Sequence, residues 1–114
     1  MNDQAREKLR AHWDARYATF SLDESGCLGA GEGLSRMLYR AKEQGLLHAL
    51  RRVGLTRQAH FRVLDMGCGF GYFAGFYQRE FPHASYTGVD ISARAIRHAQ
   101  DTLPGVEFFA DDVV

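Results

Sequence analysis

The chain has 114 residues, which suits one domain and leaves no room for two. Hydrophobic residues make up 46% of it and charged residues 25%, which is ordinary for a soluble globular protein. The 14 Lys and Arg residues balance the 14 Asp and Glu residues, so the formal net charge is zero. A protein that binds nucleic acid through phosphate contacts usually carries a basic excess, so we expect no nucleic-acid partner.

The cysteines and the N-terminus predict the compartment. Cys27 and Cys68 form no CxxC pair, and two such cysteines are typical of free thiols in a reducing cytosol. The N-terminus is polar and charged, without the apolar core of a signal peptide, and no apolar run is long enough to cross a bilayer. We therefore expect a cytoplasmic protein without a membrane partner.

The first predicted element is an amphipathic helix near the N-terminus. Asp3 lies where an N-cap is wanted. Apolar residues follow at every fourth position, which places them along one helix face. That face consists of Ala5, Leu9, Trp13 and Tyr17.

A Gly-rich stretch with Gly26, Gly29, Gly31 and Gly33 then predicts a flexible loop, and a second helix is predicted from Leu34 onward. Gly45 in its middle predicts a kink or a close packing point, and Gly54 is the expected C-cap. Its predicted apolar face consists of Leu34, Met37, Leu38 and Ala41, continued by Leu46, Ala49, Leu50 and Val53.

From residue 61 onward, short apolar runs alternate with helical ones. Strands are predicted over 61–66, 85–89 and 106–110, with helices over 72–81 and from Ser92 to 103. This β-α-β-α-β order indicates an α/β fold with a parallel sheet and right-handed crossovers. The predicted buried sides of the two helices are Phe73, Phe76, Tyr77 and Phe81 in the first, and Ala95, Ile96, Ala99 and Leu103 in the second.

The turn after the first strand carries glycines at 67, 69 and 71, directly after Asp65. Glycine lets the backbone turn tightly and approach a ligand without a Cβ in the way. In dinucleotide-binding enzymes such a turn holds a pyrophosphate at a helix N-terminus, but their GxGxxG fingerprint requires a glycine where this chain has Tyr72. The spacing here is GxGxG.

Acidic residues end the next two predicted strands. Asp90 ends the second strand, where a carboxylate can accept hydrogen bonds from the 2′ and 3′ hydroxyls of a ribose. Asp111 and Asp112 end the third, where a carboxylate can accept from an adenine amino group. Open α/β sheets bind ligands at the carboxyl ends of their strands, so these acids and the glycine turn predict one site.

These segments resemble three motifs of class I S-adenosylmethionine-dependent methyltransferases. Residues 63–71, VLDMGCGFG, are similar to the first motif, VLDxGCGxG, and residues 86–92, YTGVDIS, are similar to the second. Residues 106–112, VEFFADD, are similar to the third, and residues 13–17 are loosely similar to a helical lid segment. The resemblance implies a helical N-terminal lid over 1–54, followed over 55–114 by the cofactor-binding half of a Rossmann-like domain.

The resemblance also implies roles for individual residues. The glycines would pass beneath the methionine part of S-adenosylmethionine, Asp65 would help to hold that part, and Tyr17 would contact its carboxylate. Asp90 would bind the ribose, Ile91 would pack on the adenine, and Asp111 would meet the adenine amino group with Asp112 beside it. The cofactor-binding residues expected in this way are Tyr17, Asp65, Gly67, Cys68, Gly69, Gly71, Asp90, Ile91, Asp111 and Asp112.

Structural alternatives stay open for several of these residues. Asp90 could serve only to cap the helix that begins at Ser92, and Asp112 could be a solvated strand end. Cys68 is expected to pack rather than to act as a nucleophile, since no His is placed near it in sequence. The five histidines have no metal-ligand spacing, so no metal site is expected.

The implied activity is methyl transfer to an unidentified, small-molecule acceptor, with S-adenosylhomocysteine as product. The catalytic residues are unknown, because the motif that faces the acceptor in this family usually follows a fourth strand beyond Val114. The first strand is apolar and suited to a central place, yet it would lie at a sheet edge. We therefore expect a truncated gene product, a fragment, or half of a split enzyme that a homo-oligomer or a partner chain completes. The alternatives are a non-catalytic nucleotide-binding half-domain and a nicotinamide-dependent oxidoreductase.

Overall fold

The computed structural model of this chain describes residues 1–19 and 32–112. Within these ranges it contains four helices and three strands: α1 Asp3–Tyr17, α2 Glu32–Arg52, β1 Arg62–Met66, α3 Tyr72–Glu80, β2 Ser85–Asp90, α4 Ala93–Thr102 and β3 Glu107–Ala110. The predicted loop at Gly26, Gly29 and Gly31 and the thiol of Cys27 lie outside the described residues.

The three strands form the parallel sheet that the β-α-β-α-β pattern predicted. Their order is β1-β2-β3, so β1 lies at one edge, as expected. The register pairs Asp65 with Gly88, and Gly88 in turn with Phe108. The carboxyl ends of all three strands therefore meet at one edge of the sheet, where the candidate site residues lie.

Helices α3 and α4 pack on one face of this sheet and form the core with it. Phe76 and Tyr77 from α3 and Ile96 and Ala99 from α4 are buried there together with Phe108 of β3. The predicted helix faces are thus confirmed in their central residues. In contrast, the other face of the sheet carries exposed apolar side chains: Leu64, Met66 and Phe109 are 63%, 62% and 52% exposed.

The caps of these helices follow simple local chemistry. Ser92 is the N-cap of α4, and its side chain accepts from the backbone N–H of Ala95, as the sequence predicted. At α1 the prediction was wrong by one residue. Asn2 has the extended backbone of an N-cap and its Oδ1 accepts from Ala5 N at 2.8 Å, so Asp3 lies inside the first turn. A negative charge there still suits the helix dipole.

Helix α2 departs from the prediction in three ways. It includes Gly33, which was expected in the loop, and it continues through Gly45, where an added Cβ would meet nothing within 4 Å. Gly45 is therefore not a close packing point. The leucines Leu46, Leu47 and Leu50 pack against the core, whereas all remaining residues of the predicted face are exposed: Leu34, Met37, Leu38, Ala41, Ala49 and Val53.

The end of α2 is the predicted C-cap. Gly54 has a positive φ of 92°, and the backbone N–H of Leu55 returns to the carbonyl of Leu50 at 3.1 Å. This pairing of a left-handed glycine with a returning N–H satisfies carbonyls that the last helical turn leaves free. None of the described helices is long and apolar enough to cross a membrane.

Candidate functional site

The glycine turn between β1 and α3 is anchored to the end of β2. The backbone N–H groups of Gly67 and Cys68 both donate to the carbonyl of Val89, at 2.7 and 3.1 Å. Gly67, Gly69 and Gly71 all have positive φ, so each glycine of the predicted turn has a backbone that other residues adopt only with strain. The turn is thereby held across the carboxyl end of the neighbouring strand.

Asp90 links this turn to the start of α4. Its carboxylate is 7% exposed, and Oδ2 accepts from Gly69 N at 2.9 Å while Oδ1 accepts from Ser92 N at 2.9 Å. The true N-cap of α4 is Ser92, so capping alone does not account for Asp90. A carboxylate offers about four acceptor positions, and the two backbone donors leave room for hydroxyl donors from a ligand.

Asp65, at the end of β1, is held by a hydroxyl from the adjacent strand. Tyr86 donates its OH to Asp65 Oδ2 at 2.6 Å. Burial of Tyr86 raises its pKa above the ordinary value, and the hydrogen bond to Asp65 raises it further. The phenol therefore stays protonated and keeps one carboxylate oxygen of Asp65 fixed, while the half-buried Asp65 side chain still borders a cavity beside the glycine turn.

The two acids after β3 have different surroundings. Asp111 donates its backbone N–H to the Asp90 carbonyl at 3.0 Å, and its exposed carboxylate accepts from Asp112 N at 2.7 Å. The carboxylate of Asp112 is only 11% exposed and forms an ion pair with Arg6 of α1, with 2.9 Å between Oδ2 and Nε. Asp112 is therefore not a solvated strand end.

The first of two adjoining cavities lies between α1 and the ends of the strands. Its volume is about 240 Å³. Apolar side chains form one side, and the acids at the ends of β2 and β3 form the other. The lining residues are Leu9, Trp13, Tyr17, Gly67, Asp90, Ile91, Asp111 and Asp112.

The second cavity, of about 270 Å³, also borders the glycine turn. It shares Trp13, Tyr17 and Gly67 with the first cavity. Its wall contains one acid, Asp65, and one base, Lys42, whose ammonium lies 5.1 Å from the ring centre of Tyr39. The other lining residues are Cys68, Gly69, Phe70, Tyr72 and Phe73.

Tyr17 lies at the junction of the two cavities. Its ring is 4.8 Å from that of Phe70, and its hydroxyl would be 2.9 Å from a Cβ placed on Gly69. Burial raises the pKa of Tyr17 above its ordinary value, and the nearby negative charge of Asp90 raises it further. Tyr17 is therefore a neutral hydrogen-bond donor beside the turn, and an alanine at position 69 would press against it.

Two of the expected cofactor-binding residues have side-chain positions that face the core. Gly71 lines neither cavity: a Cβ there would be 2.9 Å from Phe108 Cζ and 3.2 Å from Leu103 Cδ1, so this glycine permits close packing of the turn on the core. Cys68 is 8% exposed, and burial, followed by the charges of Asp90 and Asp65, raises its pKa to about 12. Such a thiol stays protonated at neutral pH, which agrees with a packing role.

The remaining expected residues come together, and α1 and α2 add others that sequence reasoning did not assign. Trp13 was not among the expected cofactor-binding residues, but it borders both cavities. The helical period had placed it on the same face as Tyr17. Nothing in the sequence indicates which part of the sheet this face covers. Besides Trp13, the lining residues missed in this way are Leu9 on α1, Tyr39 and Lys42 on α2, Phe70 in the glycine turn, and Tyr72 and Phe73 on α3.

The described residues contain no group of three or more His, Cys, Asp or Glu side chains that could hold a metal ion. Two of the histidines, His60 and His83, stack on each other with ring centres 4.9 Å apart, away from both cavities. The groups that line the two cavities are carboxylates, the Lys42 ammonium, backbone groups and aromatic rings.

Comparison with known proteins agrees with the three motifs. A family described as "Methyltransferase domain" matches residues 63–114. Among curated proteins, the chain is 39% identical over 64 residues to trans-aconitate 2-methyltransferase of Paracidovorax citrulli, which covers 56% of this chain and 24% of that protein. It is 40% identical over 50 residues to malonyl-[acyl-carrier protein] O-methyltransferase of Laribacter hongkongensis, covering 44% and 17%.

Solved structures show the same fold. The sugar N-methyltransferase KedS8 from Streptoalloteichus sp. matches with a TM-score of 0.51 and 23% identity, over 68% of this chain and 32% of that one. The plantazolicin methyltransferase BpumL matches with a TM-score of 0.53 and 18% identity, over 92% and 42%. The fold is therefore a partial Rossmann-like methyltransferase fold. Residues 63–114 are thus similar to a methyltransferase domain, and the chain spans about a quarter of the curated relative that it matches over 64 residues.

Proposed function

We propose that this chain provides the cofactor-binding part of an S-adenosylmethionine-dependent methyltransferase that acts on a small-molecule acceptor. The observation that carries the proposal is the position of Asp90. Its buried carboxylate holds the glycine turn and the start of α4 with one hydrogen bond each, and it borders the first cavity. A ribose placed there would find acceptors for its hydroxyl groups in an already ordered carboxylate.

The first cavity suits the adenosine part of the cofactor. Leu9, Trp13 and Ile91 supply apolar surface for a purine ring, and the Asp111 carboxylate lies at the rim as an acceptor for an amino group. Gly67 fits this assignment as well, because it borders both cavities and a Cβ on it would point into open space. The bare backbone at Gly67 therefore leaves room for a ligand that extends from one cavity into the other.

The second cavity suits the amino-acid part. Asp65 offers a carboxylate to an ammonium group, and Lys42 offers an ammonium to a carboxylate. The protonated hydroxyl of Tyr17 adds a donor between the two cavities. Opposite charges on one small cavity wall match a zwitterion, and neither a nicotinamide nor a second nucleotide carries this pair of groups.

When bound, the cofactor supplies a methyl group on a positively charged sulfur, which leaves as a neutral thioether. The residues of this chain contribute by holding the donor in one orientation and by excluding water from it, and such positioning contributes up to about 7–11 kcal/mol in favourable cases. Aromatic rings of Tyr39, Tyr72 and Phe73 shield the second cavity. We assign no catalytic base to this chain.

Further parts of the proposal concern the acceptor and the surroundings of the protein. The balanced charge of the chain favours a small acceptor over nucleic acid, and one relative is named for trans-aconitate and another for malonyl-[acyl-carrier protein]. The free thiol of Cys68 favours a cytoplasmic location. The exposed sheet face favours a homo-oligomer or a completing partner chain. We also propose that residues 1–54 form a lid and that residues 55–114 form the cofactor-binding half.

Calorimetric titration tests the cofactor proposal. We expect S-adenosylmethionine and S-adenosylhomocysteine to bind and NAD not to bind. Hydrogen bonds to a charged group are worth about 1.5–3 kcal/mol, so 2′-deoxy-S-adenosylhomocysteine should bind about 10- to 100-fold more weakly to the unaltered protein. Asp90→Ala should remove this difference between the two ligands.

Asp101→Ala is the matched control, since Asp101 is an exposed carboxylate on α4 that borders neither cavity. It should bind both ligands as the unaltered protein does. Failure of a folded chain to bind either adenosyl ligand would contradict the proposal. If the unaltered protein binds the deoxy ligand as tightly as S-adenosylhomocysteine, the role of Asp90 is contradicted. The cofactor assignment would then be supported by Gly67 and the second cavity alone.

A further inference from the structure

Helix α1 is attached to the rest of the molecule without contributing to its core. None of its residues is buried, yet Leu9, Trp13 and Tyr17 form a wall of the first cavity. Its apolar contacts come from half-buried side chains, such as Tyr17 against Phe70, whereas a fully buried apolar face usually supplies most of the stability of a short helix. Polar contacts must therefore contribute much of what keeps this wall in place.

One of these contacts is between Asp14 and the start of α4. Asp14 Oδ1 accepts from Ser92 Oγ at 2.5 Å and from Arg94 N at 3.2 Å. Ser92 is fully buried and its oxygen also accepts from Ala95 N at 3.1 Å, so it is fixed by its own helix. The charge of Asp14 also lies at the positive end of the α4 dipole, where a carboxylate is favoured.

A second contact fixes the other end of α1. Arg6 Nε lies 2.9 Å from Asp112 Oδ2, and the Arg6 and Asp112 side chains are 42% and 11% exposed. Arg6 and Asp14 are eight residues apart in one helix, which corresponds to about 12 Å along its axis. Two polar contacts thus hold the helix on either side of Leu9, where its apolar face borders the cavity.

Both contacts end on the segments that carry the candidate ligand-binding acids. Ser92 follows Asp90 by two residues, and Asp112 follows Asp111 directly. The segments that position Asp90 and Asp111 therefore also position α1. Any ligand that fills the cavity and touches both walls must favour the docked helix, and the docked helix must favour the ligand by the same free energy.

We propose that Asp14 is a positioning residue for the cofactor site: by accepting from Ser92 and Arg94 it holds α1 as the wall of the adenosine cavity, so that docking of α1 and binding of the cofactor are coupled. The inference rests on the proposed function for the identity of the ligand. Asp14 itself borders neither cavity, so its effect reaches the ligand through α1.

The chain has its own reporter for this coupling. Trp13, its only tryptophan, is on α1 next to Asp14 and lines both cavities. Its ring is 6.0 Å from that of Tyr17, and the Arg16 guanidinium lies 5.0 Å from the ring centre. Release of α1 would move this indole into water and shift its fluorescence emission to longer wavelength, with or without ligand.

The test compares Asp14→Ala, Asp14→Asn and the control Glu7→Ala by tryptophan fluorescence, calorimetry with S-adenosylhomocysteine and thermal unfolding. Glu7 is an exposed acid of the same helix whose ion pair is with Arg10, one turn away. Loss of a charged hydrogen-bond acceptor should weaken binding about tenfold in Asp14→Ala and shift the Trp13 emission of the free protein. Saturating ligand should restore the emission of the unaltered protein. Asp14→Asn keeps an acceptor oxygen and should recover most of the affinity, while Glu7→Ala should change neither readout.

Unchanged affinity and unchanged emission in Asp14→Ala would overturn the proposal. An equal loss of affinity in Glu7→Ala would also overturn it, because that result would mean that the helix needs acidic residues in general. If the unaltered protein binds no adenosyl ligand, the cofactor assignment fails, but the emission of ligand-free Asp14→Ala still shows whether this residue holds α1. A lower melting temperature with unchanged affinity would assign Asp14 to stability alone and would also overturn it.

Discussion

Replacing Gly71 by alanine should destabilise the fold more than an equivalent change at another left-handed glycine. Gly71 has a φ of 86° and is the N-cap of α3, and an added Cβ would be 2.9 Å from Phe108 Cζ and 3.2 Å from Leu103 Cδ1. Phe108 is 5% exposed and packed in the core, so its ring cannot move away cheaply. The alanine therefore adds overpacking to backbone strain.

A second glycine separates these two costs. Gly54 has a φ of 92°, and a Cβ on it would meet nothing within 4 Å. Gly54→Ala should thus report the left-handed backbone alone, which costs about 1–2 kcal/mol. Overpacking of a core costs a further 1–3 kcal/mol or so, and Gly71→Ala should therefore reduce the free energy of unfolding by about 2–5 kcal/mol. This is a large share of the roughly 5–15 kcal/mol of an ordinary domain.

Urea denaturation, followed by circular dichroism, measures both variants against the unaltered protein. Gly69→Ala completes the set, because its Cβ would meet the hydroxyl of Tyr17 on α1, which can yield. Its cost in stability should be close to that of Gly54→Ala, with an added loss of affinity for S-adenosylhomocysteine. If Gly71→Ala costs no more than Gly54→Ala, then the turn relaxes around the added methyl group, and the reasoning from close packing against Phe108 is wrong.

Two further predictions concern groups outside the ligand contacts. The pKa of about 12 makes Cys68 a poor nucleophile in the folded protein. Its alkylation by iodoacetamide near pH 8, measured by peptide mass mapping, should therefore be about three orders of magnitude slower than in the urea-unfolded chain. A similar rate in both states would contradict the burial of Cys68. On raising the pH, the thiol of the unfolded chain ionises first, near 9.0. The contribution of Cys68 to stability is therefore constant below that pH and falls as the pH rises towards 12. The urea concentration at the unfolding midpoint should accordingly be lower at about pH 10 than at about pH 7. The exposed sheet face should promote self-association of the 114-residue chain, which sedimentation velocity measures. The double variant Met66→Lys, Phe109→Lys should reduce this self-association. The control Val53→Lys, at an isolated exposed position, should not reduce it.

The local sequence determined the elements and most of their ends. The strands over 61–66, 85–89 and 106–110, the glycine turn and the cap at Ser92 depend on residues that are neighbours in the chain, and each lies where it was predicted to within a residue or so. The N-cap of α1 was misplaced because Asn2 and Asp3 are both good capping residues, and the backbone alone decides between adjacent candidates.

The cavities and the contacts that complete them depended on the tertiary structure. The period of α1 placed Leu9, Trp13 and Tyr17 on one face, but it could not show that this face covers the ends of β2 and β3, because no local interaction connects residue 14 to residue 92. The same holds for α2, whose partly buried leucines at 46, 47 and 50 pack against the core while the equally apolar Met37 is 60% exposed.

The glycine motif illustrates the division most clearly. The sequence by itself determined that the backbone at 67, 69 and 71 must turn sharply, since only glycine adopts positive φ there without strain. It did not determine why each glycine is needed. Gly67 faces open cavity, Gly69 lies under Tyr17 of a helix fifty residues away, and Gly71 packs against Phe108. The conformational freedom of glycine is a property of the residue itself. Which neighbour occupies the space that a Cβ would otherwise fill is decided by how distant elements pack.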